Sequence, residues 1–310
     1  MNKVKVFIDG QAGTTGLQLK SKLVNHSGVI LLEIDEDKRK DTVERQRLMN
    51  DSDVVFLCLP DAAAIEAVKL VTNPDTVIID ASTAHRVADG WTYGFPELSE
   101  EYYEAIKKAK RIANPGCHAT GFISIVYPLV RAGIMPSSYP VTAHSITGYS
   151  GGGNKMIADY ENPDRAEEIG TPRQYGLGQT HKHLPEMKKI TGLDSEPVFN
   201  PIVSDYYCGM AVSVPIYTKL LNKQMSADEM YEFFNEYYKN SEFITVHRAP
   251  ESGFLSPIGL EGTNKMKIFI CGNNDRITIT SVFDNLGKGA SSAAIENMNI
   301  SMGFNISTAL

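Results

Sequence analysis

The sequence of 310 residues has few features of membrane, secreted or metal-binding proteins. Its four cysteines, Cys58, Cys117, Cys208 and Cys271, form no CxxC pair, so neither a clustered zinc site nor a disulfide framework is indicated. The longest apolar runs, such as Val54 to Leu59, are far shorter than the roughly 20 residues that a membrane helix needs.

The sequence also has fewer basic than acidic residues. There are 30 Lys and Arg residues against 37 Asp and Glu, a net charge of −7. An acidic surface disfavours nucleic acids and anionic membranes as partners, which leaves a small-molecule ligand. The chain enters an apolar stretch at Val4 without a signal-peptide pattern. We therefore expect a cytoplasmic protein.

The first third of the chain alternates short apolar runs with helical patterns. Buried strands separated by helices are typical of a parallel sheet covered on both faces, so this part predicts an α/β, doubly wound, Rossmann-type fold. The expected strands are Val4–Ile8, Val29–Ile34, Val54–Leu59 and Val77–Ile79, and the expected helices are Thr15–Val24, Asp41–Asn50 and Ala62–Leu70.

The remainder changes character after a glycine cluster at 148–153. Two apolar runs flank Gly272-Asn-Asn-Asp275, a turn sequence that predicts a hairpin. Ser226 and Glu229 form a capping-box pattern ahead of an amphipathic helix, and a last helix is expected from Lys288 to about Met302. This part predicts an α+β domain with a mixed or antiparallel sheet, whose strands lie at 198–203, 210–216, 266–270 and 276–283.

A glycine-rich loop follows the first strand directly and opens the first helix. Gly10, Gly13 and Gly16 are spaced GxxGxxG rather than the commoner GxGxxG. Glycines in this context let the backbone approach a pyrophosphate, whose charge the N–H groups of the helix start would bind. The alternative is a purely structural tight turn.

The residues that follow the second strand do not decide between NAD and NADP. Asp35, 19 residues after Gly16, suits a ribose 2′-hydroxyl and therefore NAD. Lys38 and Arg39 follow at once and suit the 2′-phosphate of NADP, although they are equally typical of solvated surface charges.

Cys117 has a different context from the other cysteines, which lie in apolar runs that look like strands. Pro115 and Gly116 interrupt the chain just before it, and a strongly apolar stretch follows, so the thiol is predicted in the first turn of a helix. The helix dipole there favours a thiolate, which is the nucleophile needed to form a thioester. The alternative is a buried structural cysteine.

Two histidines, His181 and His183, follow a glycine-rich polar segment. In an extended chain both would face the same side, where an imidazole can take or give a proton at neutral pH. No third ligand is near in sequence, so we predict no metal site. Arg86 and Arg173 are the best available cations for a phosphate or carboxylate, and an ordinary structural role is the alternative for each.

Several ungapped motifs together resemble the N-acetyl-gamma-glutamyl-phosphate reductases, which are related to aspartate-semialdehyde dehydrogenases. The family's N/V-P-G-C-Y-P-T signature appears as Asn114 to Thr120, with His-Ala in place of Tyr-Pro, and its H-R-H-x-P-E-I motif appears as His181 to Met187. Further matches lie at 80–86, 93–98, 147–153 and 284–290. The resemblance spans nearly the whole chain, and its length and altered motifs suggest the shorter subgroup.

The resemblance implies two domains. Residues 1–116, completed by the C-terminal helix 286–310, would bind NADP, and residues 117–285 would form the catalytic and oligomerisation domain of a homo-oligomer, a dimer or tetramer. It assigns cofactor binding to Gly10, Gly13, Thr14, Thr15, Gly16, Lys38, Arg39, Pro60, Ser82 and Asn285. It assigns substrate binding to Arg86, Tyr149, Ser150 and Arg173.

The implied activity is a step of arginine biosynthesis. Cys117 would attack the acyl phosphate of N-acetyl-L-glutamyl 5-phosphate, NADPH would reduce the resulting thioester to the semialdehyde, and His181 would act as the acid or base. One rival is an aspartate-semialdehyde dehydrogenase, whose E-x-K and R-V-P-V motifs are not apparent here. Another is a non-catalytic nicotinamide-binding redox sensor, which would have no reason to keep both Cys117 and His181.

Overall fold

The computed structural model describes residues 3–310, and its chain divides into two compact units. One contains the chain up to Pro115 together with Ala290–Leu310, and the other is Gly116–Gly289. The strands in chain order are β1 (Val4–Asp9), β2 (Val29–Leu32), β3 (Val54–Leu57), β4 (Val77–Asp80), β5 (Thr92–Tyr93), β6 (Arg111–Ala113), β7 (Thr142–Gly148), β8 (Arg173–Gln174), β9 (Val198–Ser204), β10 (Met210–Tyr217), β11 (Ile244–Arg248), β12 (Met266–Gly272) and β13 (Arg276–Phe283). The α-helices are α1 (Thr14–Leu23), α2 (Thr42–Asn50), α3 (Asp61–Leu70), α4 (Glu100–Lys108), α5 (Cys117–Arg131), α6 (Gly153–Glu161), α7 (Leu184–Thr191), α8 (Ala227–Tyr237) and α9 (Ser292–Met302).

The first unit is built on a six-stranded sheet with the order β2-β1-β3-β4-β6-β5, and every neighbouring pair is parallel. Successive residues of β1 point to opposite faces. Val6 and Ile8 lie in a core with residues of α1, α4 and α9, whereas Phe7 lies in a second core with residues of α2 and α3. Apolar side chains on both faces account for the unbroken hydrophobic runs, and the predicted doubly wound α/β fold is confirmed.

The second unit contains a seven-stranded mixed sheet with the order β11-β12-β13-β10-β7-β9-β8. β11 pairs with β12 and β7 with β9 in parallel, and the other neighbours are antiparallel. α5 and α8 pack on one face of this sheet, and α7 packs on α5. The predicted mixed-sheet domain is confirmed.

Local sequence signals in the second unit have the expected structural results. Ser226 caps α8 through a complete capping box with Glu229. The turn after Gly272 joins β12 to β13 as a hairpin, and Asn273 Oδ1 accepts hydrogen bonds from the backbone N–H groups of Asp275 and Arg276. The helix expected from Lys288 begins with a π-helical turn at Gly287–Ser291 before α9 starts.

Some expected boundaries were wrong. β2 ends at Leu32 rather than Ile34, and β3 ends at Leu57 rather than Leu59. Cys208 lies in a bend ahead of β10 rather than in a strand. In each case apolar residues extend beyond the paired part of the strand. A residue near the core can be apolar without its backbone being paired in the sheet. No helix within residues 3–310 is both long and apolar enough to span a bilayer.

Candidate active site

Cys117 is the first residue of α5, as its Pro-Gly context predicts. Gly116 is the N-cap with extended backbone (φ −80°, ψ 146°), and no side chain caps the helix. The next twelve residues, 118–129, are all buried, so the helix is anchored by its apolar body and presents the thiol at its N-terminus. Gly289 passes so close that a Cβ there would lie 2.8 Å from the Cys117 Cβ.

The turn before Cys117 is held by a carboxylate. Glu186, in the first turn of α7, is 1% exposed, and its Oε1 accepts a 2.9 Å hydrogen bond from the backbone N–H of Gly116. This contact ties the start of α5 to α7. No role for Glu186 was predicted beyond its place in the His-x-Pro-Glu motif.

Aromatic and imidazole rings gather beside the start of α5. The His181 ring lies 5.3 Å from the His118 ring, 4.7 Å from the His183 ring and 6.0 Å from the Tyr175 ring, between centroids. Phe199 completes the cluster at 5.2 Å from both His118 and His181. His118 directly follows Cys117, so the ring cluster that contains His181 packs on the first turn of the helix that Cys117 begins.

His181 and His183 do not lie on an extended segment, which was the condition under which both would face the same side. His183 is in the turn that caps α7, with helical backbone angles (φ −89°, ψ −8°). Its backbone N–H donates to His181 Nδ1 at 3.2 Å. An Nδ1 that accepts this bond leaves the proton of a neutral His181 ring on Nε2, so Nε2 is the donor atom.

His118 and Tyr175 are site residues that sequence reasoning missed. His118 Nε2 and Tyr175 Oη are 2.6 Å apart, and His118 Nδ1 and Ser145 Oγ are 2.7 Å apart. Burial, followed by the charges of His181 and Lys182, lowers the pKa of His118 to about 3. Burial, followed by the negative charge of Cys117, raises the pKa of Tyr175. The position of His118 next to Cys117 was the one available signal, and nothing in the sequence pointed to Tyr175.

The predicted substrate residues of the second unit lie in a separate tyrosine-rich cluster. Tyr149 stacks on Tyr160 at 4.7 Å, and the Arg173 guanidinium lies 5.2 Å from the centre of the same ring, with Nη2 3.0 Å from Tyr160 Oη. The buried Arg173 Nε has no hydrogen-bond partner among the described residues. Ser150 accepts a 3.1 Å hydrogen bond from Asn285 Nδ2.

Arg86 and Asn285 are engaged in structural hydrogen bonds. Arg86, in the first unit, is 8% exposed and donates to the carbonyl oxygens of Asn114 and Ala81 at 2.9 and 3.0 Å. Asn285 Oδ1 accepts from the backbone N–H of Gly209 at 2.8 Å. Neither contact tests ligand binding, so the expected substrate role of Arg86 and the expected cofactor role of Asn285 stay predictions.

The glycine loop of the first unit has the geometry of a backbone cradle. Gly10 has a φ of +86°, and a Cβ there would lie 2.3 Å from the carbonyl oxygen of Cys58, so only glycine fits. A Cβ on Gly16 would lie 2.5 Å from the carbonyl oxygen of Gly10. α1 then starts at Thr14 without a side-chain cap, and Thr15 follows in its first turn. This arrangement fits an anionic pyrophosphate.

Other expected cofactor residues lie at the carboxyl ends of neighbouring strands. Pro60 follows β3 and caps α3, and Ser82 follows β4, where its hydroxyl donates to Asp80 at 2.7 Å. Arg45, for which no role was predicted, makes a bidentate ion pair with Asp9 at the end of β1. Its Nε lies 3.2 Å from Asp9 Oδ1 and its Nη2 lies 2.6 Å from Asp9 Oδ2. In open α/β sheets this edge is where ligands bind.

Lys38 and Arg39 are both exposed and paired with nearby acids. Lys38 Nζ lies 3.1 Å from Asp35 Oδ2, and Arg39 Nη2 lies 2.9 Å from Glu36 Oε1. The hydrogen bond with Asp35 is the main cause that raises the pKa of Lys38. No group of three or more His, Cys, Asp or Glu residues within 3–310 is arranged to hold a metal ion.

Comparison with known proteins identifies the family. The profile "Semialdehyde dehydrogenase, NAD binding domain" matches residues 5–109, and the profile "Semialdehyde dehydrogenase, dimerisation domain" matches residues 117–285. The chain is 43% identical to N-acetyl-gamma-glutamyl-phosphate reductase 2 of Nostoc sp. and 41% identical to N-acetyl-gamma-glutamyl-phosphate reductase 2 of Pseudomonas putida, with 98% of each chain covered in both alignments.

Solved structures share the fold at low sequence identity. Aspartate semialdehyde dehydrogenase II of Vibrio cholerae, complexed with ASA, superposes with a TM-score of 0.72 at 15% identity, covering 98% of this chain and 99% of that one. Aspartate semialdehyde dehydrogenase with NADP from Candida albicans gives a TM-score of 0.66 at 15% identity, covering 98% and 100%. The chain belongs to the semialdehyde dehydrogenase family and, within it, to the N-acetyl-gamma-glutamyl-phosphate reductases.

Proposed function

We propose that this enzyme catalyses the NADPH-dependent reduction of N-acetyl-L-glutamyl 5-phosphate to N-acetyl-L-glutamate 5-semialdehyde and phosphate, a step of arginine biosynthesis. The observation that carries the proposal is Cys117 at the N-terminus of α5, with the His181 ring packed against the residue that follows it. The full-length relationship to reductases of this name supports the choice of substrate.

The thiol chemistry follows from the position of Cys117. The backbone N–H groups and the dipole of a helix start favour a thiolate, which attacks the acyl carbon of the mixed anhydride. The new S–C bond replaces the C–O bond to phosphate, which leaves with the electron pair. The same N–H groups are suited to stabilise the oxyanion that forms on the acyl oxygen.

The reaction consumes one proton and one hydride. His181 is placed to donate a hydrogen bond from Nε2 to the reacting acyl group, because its Nδ1 accepts the His183 N–H, and the proton consumed is taken up by the released phosphate. The bound nicotinamide would supply the hydride that reduces the thioester carbonyl, after which collapse releases the aldehyde and returns the Cys117 thiolate. The net change is acyl phosphate, NADPH and a proton converted to aldehyde, NADP⁺ and phosphate.

The nucleotide would be held by the glycine cradle of the first unit, with Thr14, Thr15, Pro60 and Ser82 around it. The close approaches at Gly10 and Gly16 support this assignment, because both positions exclude a side chain. We assign the 2′-phosphate of NADPH to Lys38 and Arg39, whose exposed cationic groups need only exchange one anionic partner for another.

The substrate carboxylate would bind at Arg173, whose buried Nε lacks a partner among the described residues. Tyr149 and Ser150 lie in the same region and would contact the acetamido end. Arg86 is the weaker candidate, because two backbone carbonyls already accept from its guanidinium.

The four free thiols match the reducing cytoplasm, where we place the reaction.

We also infer that the enzyme is a homo-oligomer, joined through the open face of the seven-stranded sheet. α5 and α8 pack on one face. The opposite face exposes apolar side chains on adjacent strands, a pattern typical of subunit interfaces. They include Ile146, Val198, Pro215 and Tyr217. The family description of residues 117–285 as a dimerisation domain supports an interface on this unit.

The function is tested in the reverse direction with purified enzyme. Phosphate-dependent reduction of NADP⁺ is followed with N-acetylglutamate semialdehyde and, in parallel, with aspartate semialdehyde. We expect turnover with the acetylated substrate that depends strictly on phosphate or arsenate. A higher kcat/KM with aspartate semialdehyde would identify the enzyme as an aspartate-semialdehyde dehydrogenase instead. Cofactor binding without turnover of either substrate would support the redox-sensor alternative.

A further inference from the structure

Three side chains of the second unit form a hydrogen-bonded chain beside Cys117. His118 lies in the first turn of α5, Ser145 in β7, and Tyr175 just after β8. Ser145 Oγ is 2.7 Å from His118 Nδ1, and Tyr175 Oη is 2.6 Å from His118 Nε2. Both ring nitrogens of His118 are therefore occupied by hydroxyl groups.

The protonation state of His118 follows from its burial. The residue is 3% exposed, and its lowered pKa keeps the ring neutral throughout the neutral pH range. A neutral imidazole has one N–H and one nitrogen lone pair. One of the two hydroxyls must consequently donate to the ring, and the other must accept from it.

Ser145 decides which nitrogen carries the proton. The side chain is completely buried, and His118 is the only partner of its hydroxyl among the described residues. If His118 donated from Nδ1, the Ser145 hydrogen would have no acceptor, and an unsatisfied buried donor is costly. Ser145 thus donates to Nδ1, and the ring proton is on Nε2.

The direction of the Tyr175 hydroxyl follows in turn. Its oxygen accepts from His118 Nε2–H, so its own hydrogen is left to point elsewhere. No other described residue is hydrogen-bonded to this hydroxyl. Burial and the negative charge of Cys117 raise the pKa of Tyr175, so the phenol stays protonated and serves as a donor, not as a base.

We propose that His118 is a positioning residue, which together with Ser145 holds the Tyr175 O–H as a hydrogen-bond donor to the acyl oxygen of the substrate attacked by Cys117. This inference rests on the proposed function. The negative charge that develops on the acyl oxygen makes such a bond stronger in the transition state than in the ground state, so its loss lowers kcat more than it raises KM.

A double-mutant cycle separates this role from a packing role. Single-turnover rates of phosphate release are measured for wild type, Tyr175→Phe, Ser145→Ala and the double variant. We expect a loss of about 10²-fold for Tyr175→Phe, as for removal of one oxyanion donor. Ser145→Ala should lower the wild-type rate about five- to tenfold, the effect of one hydrogen bond, and should have almost no effect in the Tyr175→Phe background.

Equal losses from Ser145→Ala in both backgrounds, or no loss in either, would overturn the proposal. Ser124→Ala is the matched control, because Ser124 is also fully buried in this unit but its hydroxyl bonds, within residues 3–310, only the carbonyl of Gly121. This change should leave the rate unaltered in both backgrounds.

A second measurement requires neither turnover nor a foldable variant of Ser145. Nitrogen NMR of ¹⁵N-histidine-labelled wild-type enzyme reports the tautomer of each ring, with the His118 signals assigned by their loss in His118→Gln. We expect a neutral ring protonated on Nε2 at neutral pH. An Nδ1-protonated ring or an imidazolium would overturn the proposal, whereas a wild-type enzyme inactive on the acyl phosphate would refute only the proposed function.

Discussion

The carboxylate of Glu186 accepts a hydrogen bond of 2.9 Å from the backbone N–H of Gly116, the residue immediately before Cys117. The contact joins residues 70 positions apart in the sequence and is buried. A carboxylate is a strong acceptor for a backbone N–H, so the bond fixes where α5 begins and where the thiol is presented.

Removal of this acceptor should destabilise the second unit and misplace the thiol. Glu186→Ala leaves the Gly116 N–H buried without its partner, and we expect the free energy of unfolding to fall by about 1–3 kcal/mol. Turnover should fall further than substrate affinity. Glu186→Gln keeps an acceptor oxygen and should recover most of both properties. Urea denaturation and steady-state kinetics measure the two effects, and an Ala variant as stable and active as wild type would contradict the assignment.

The nucleophile is tested by Cys117→Ser. We expect an intact fold, retained cofactor binding and a loss of turnover by orders of magnitude, because an unactivated hydroxyl is a poor nucleophile. Acylated enzyme should be detected by mass spectrometry in the wild type alone. Cys271→Ser, on β12, is the control and should turn over normally. Near-normal activity of Cys117→Ser would exclude the thioester mechanism.

Cofactor choice is tested by replacing both Lys38 and Arg39 with alanine. Only NADPH carries the 2′-phosphate, so the KM for NADPH should rise about tenfold or more, as expected for lost charge-assisted hydrogen bonds. The KM for NADH should change little. Lys69→Ala removes a comparable exposed ion pair with Glu66 on α3 and should alter neither value. A wild-type preference for NADH would instead assign this site to Asp35.

The two neighbouring histidines should have unequal roles. His181→Asn removes the Nε2 donor, and we expect the rate of the chemical step to fall by about 10²–10⁴-fold. His183→Asn keeps the backbone N–H that bonds His181 Nδ1, so its smaller loss should appear in packing or substrate affinity. Single-turnover kinetics compare the variants. A greater loss of chemistry in His183→Asn would reverse the assignment.

The oligomer is tested on the open sheet face. Ile146 is 38% exposed in the middle of β7, and a carboxylate there would be buried against a second subunit. Ile146→Glu should therefore shift the enzyme to the 34.1 kDa monomer in sedimentation experiments. Val43→Glu, at a 77% exposed site on α2, is the control and should leave the assembly unchanged. A wild type that sediments as a monomer would refute the proposal directly.

Local patterns in the sequence determined much of the architecture. The apolar runs of β1, β3 and β4 predicted a sheet covered on both faces, because buried parallel strands need apolar side chains on each side. The pair Ser226 and Glu229 predicted the start of α8, and Pro-Gly predicted the start of α5 at Cys117. These signals act within a few residues of one another, so they can be read without knowledge of the fold.

Tertiary structure alone decided the partners of the site residues. The sequence placed His181 and His183 on the same side only if their segment were extended. The chain turns there instead, and the two rings lie 4.7 Å apart just before α7 begins at Leu184. The bond between His118 and Tyr175 spans 57 positions. Which nitrogen of a buried imidazole donates and which accepts depends on the hydroxyl groups that the folded chain brings to the ring. Residues so far apart in the sequence form no local pattern, so the sequence could not predict this contact.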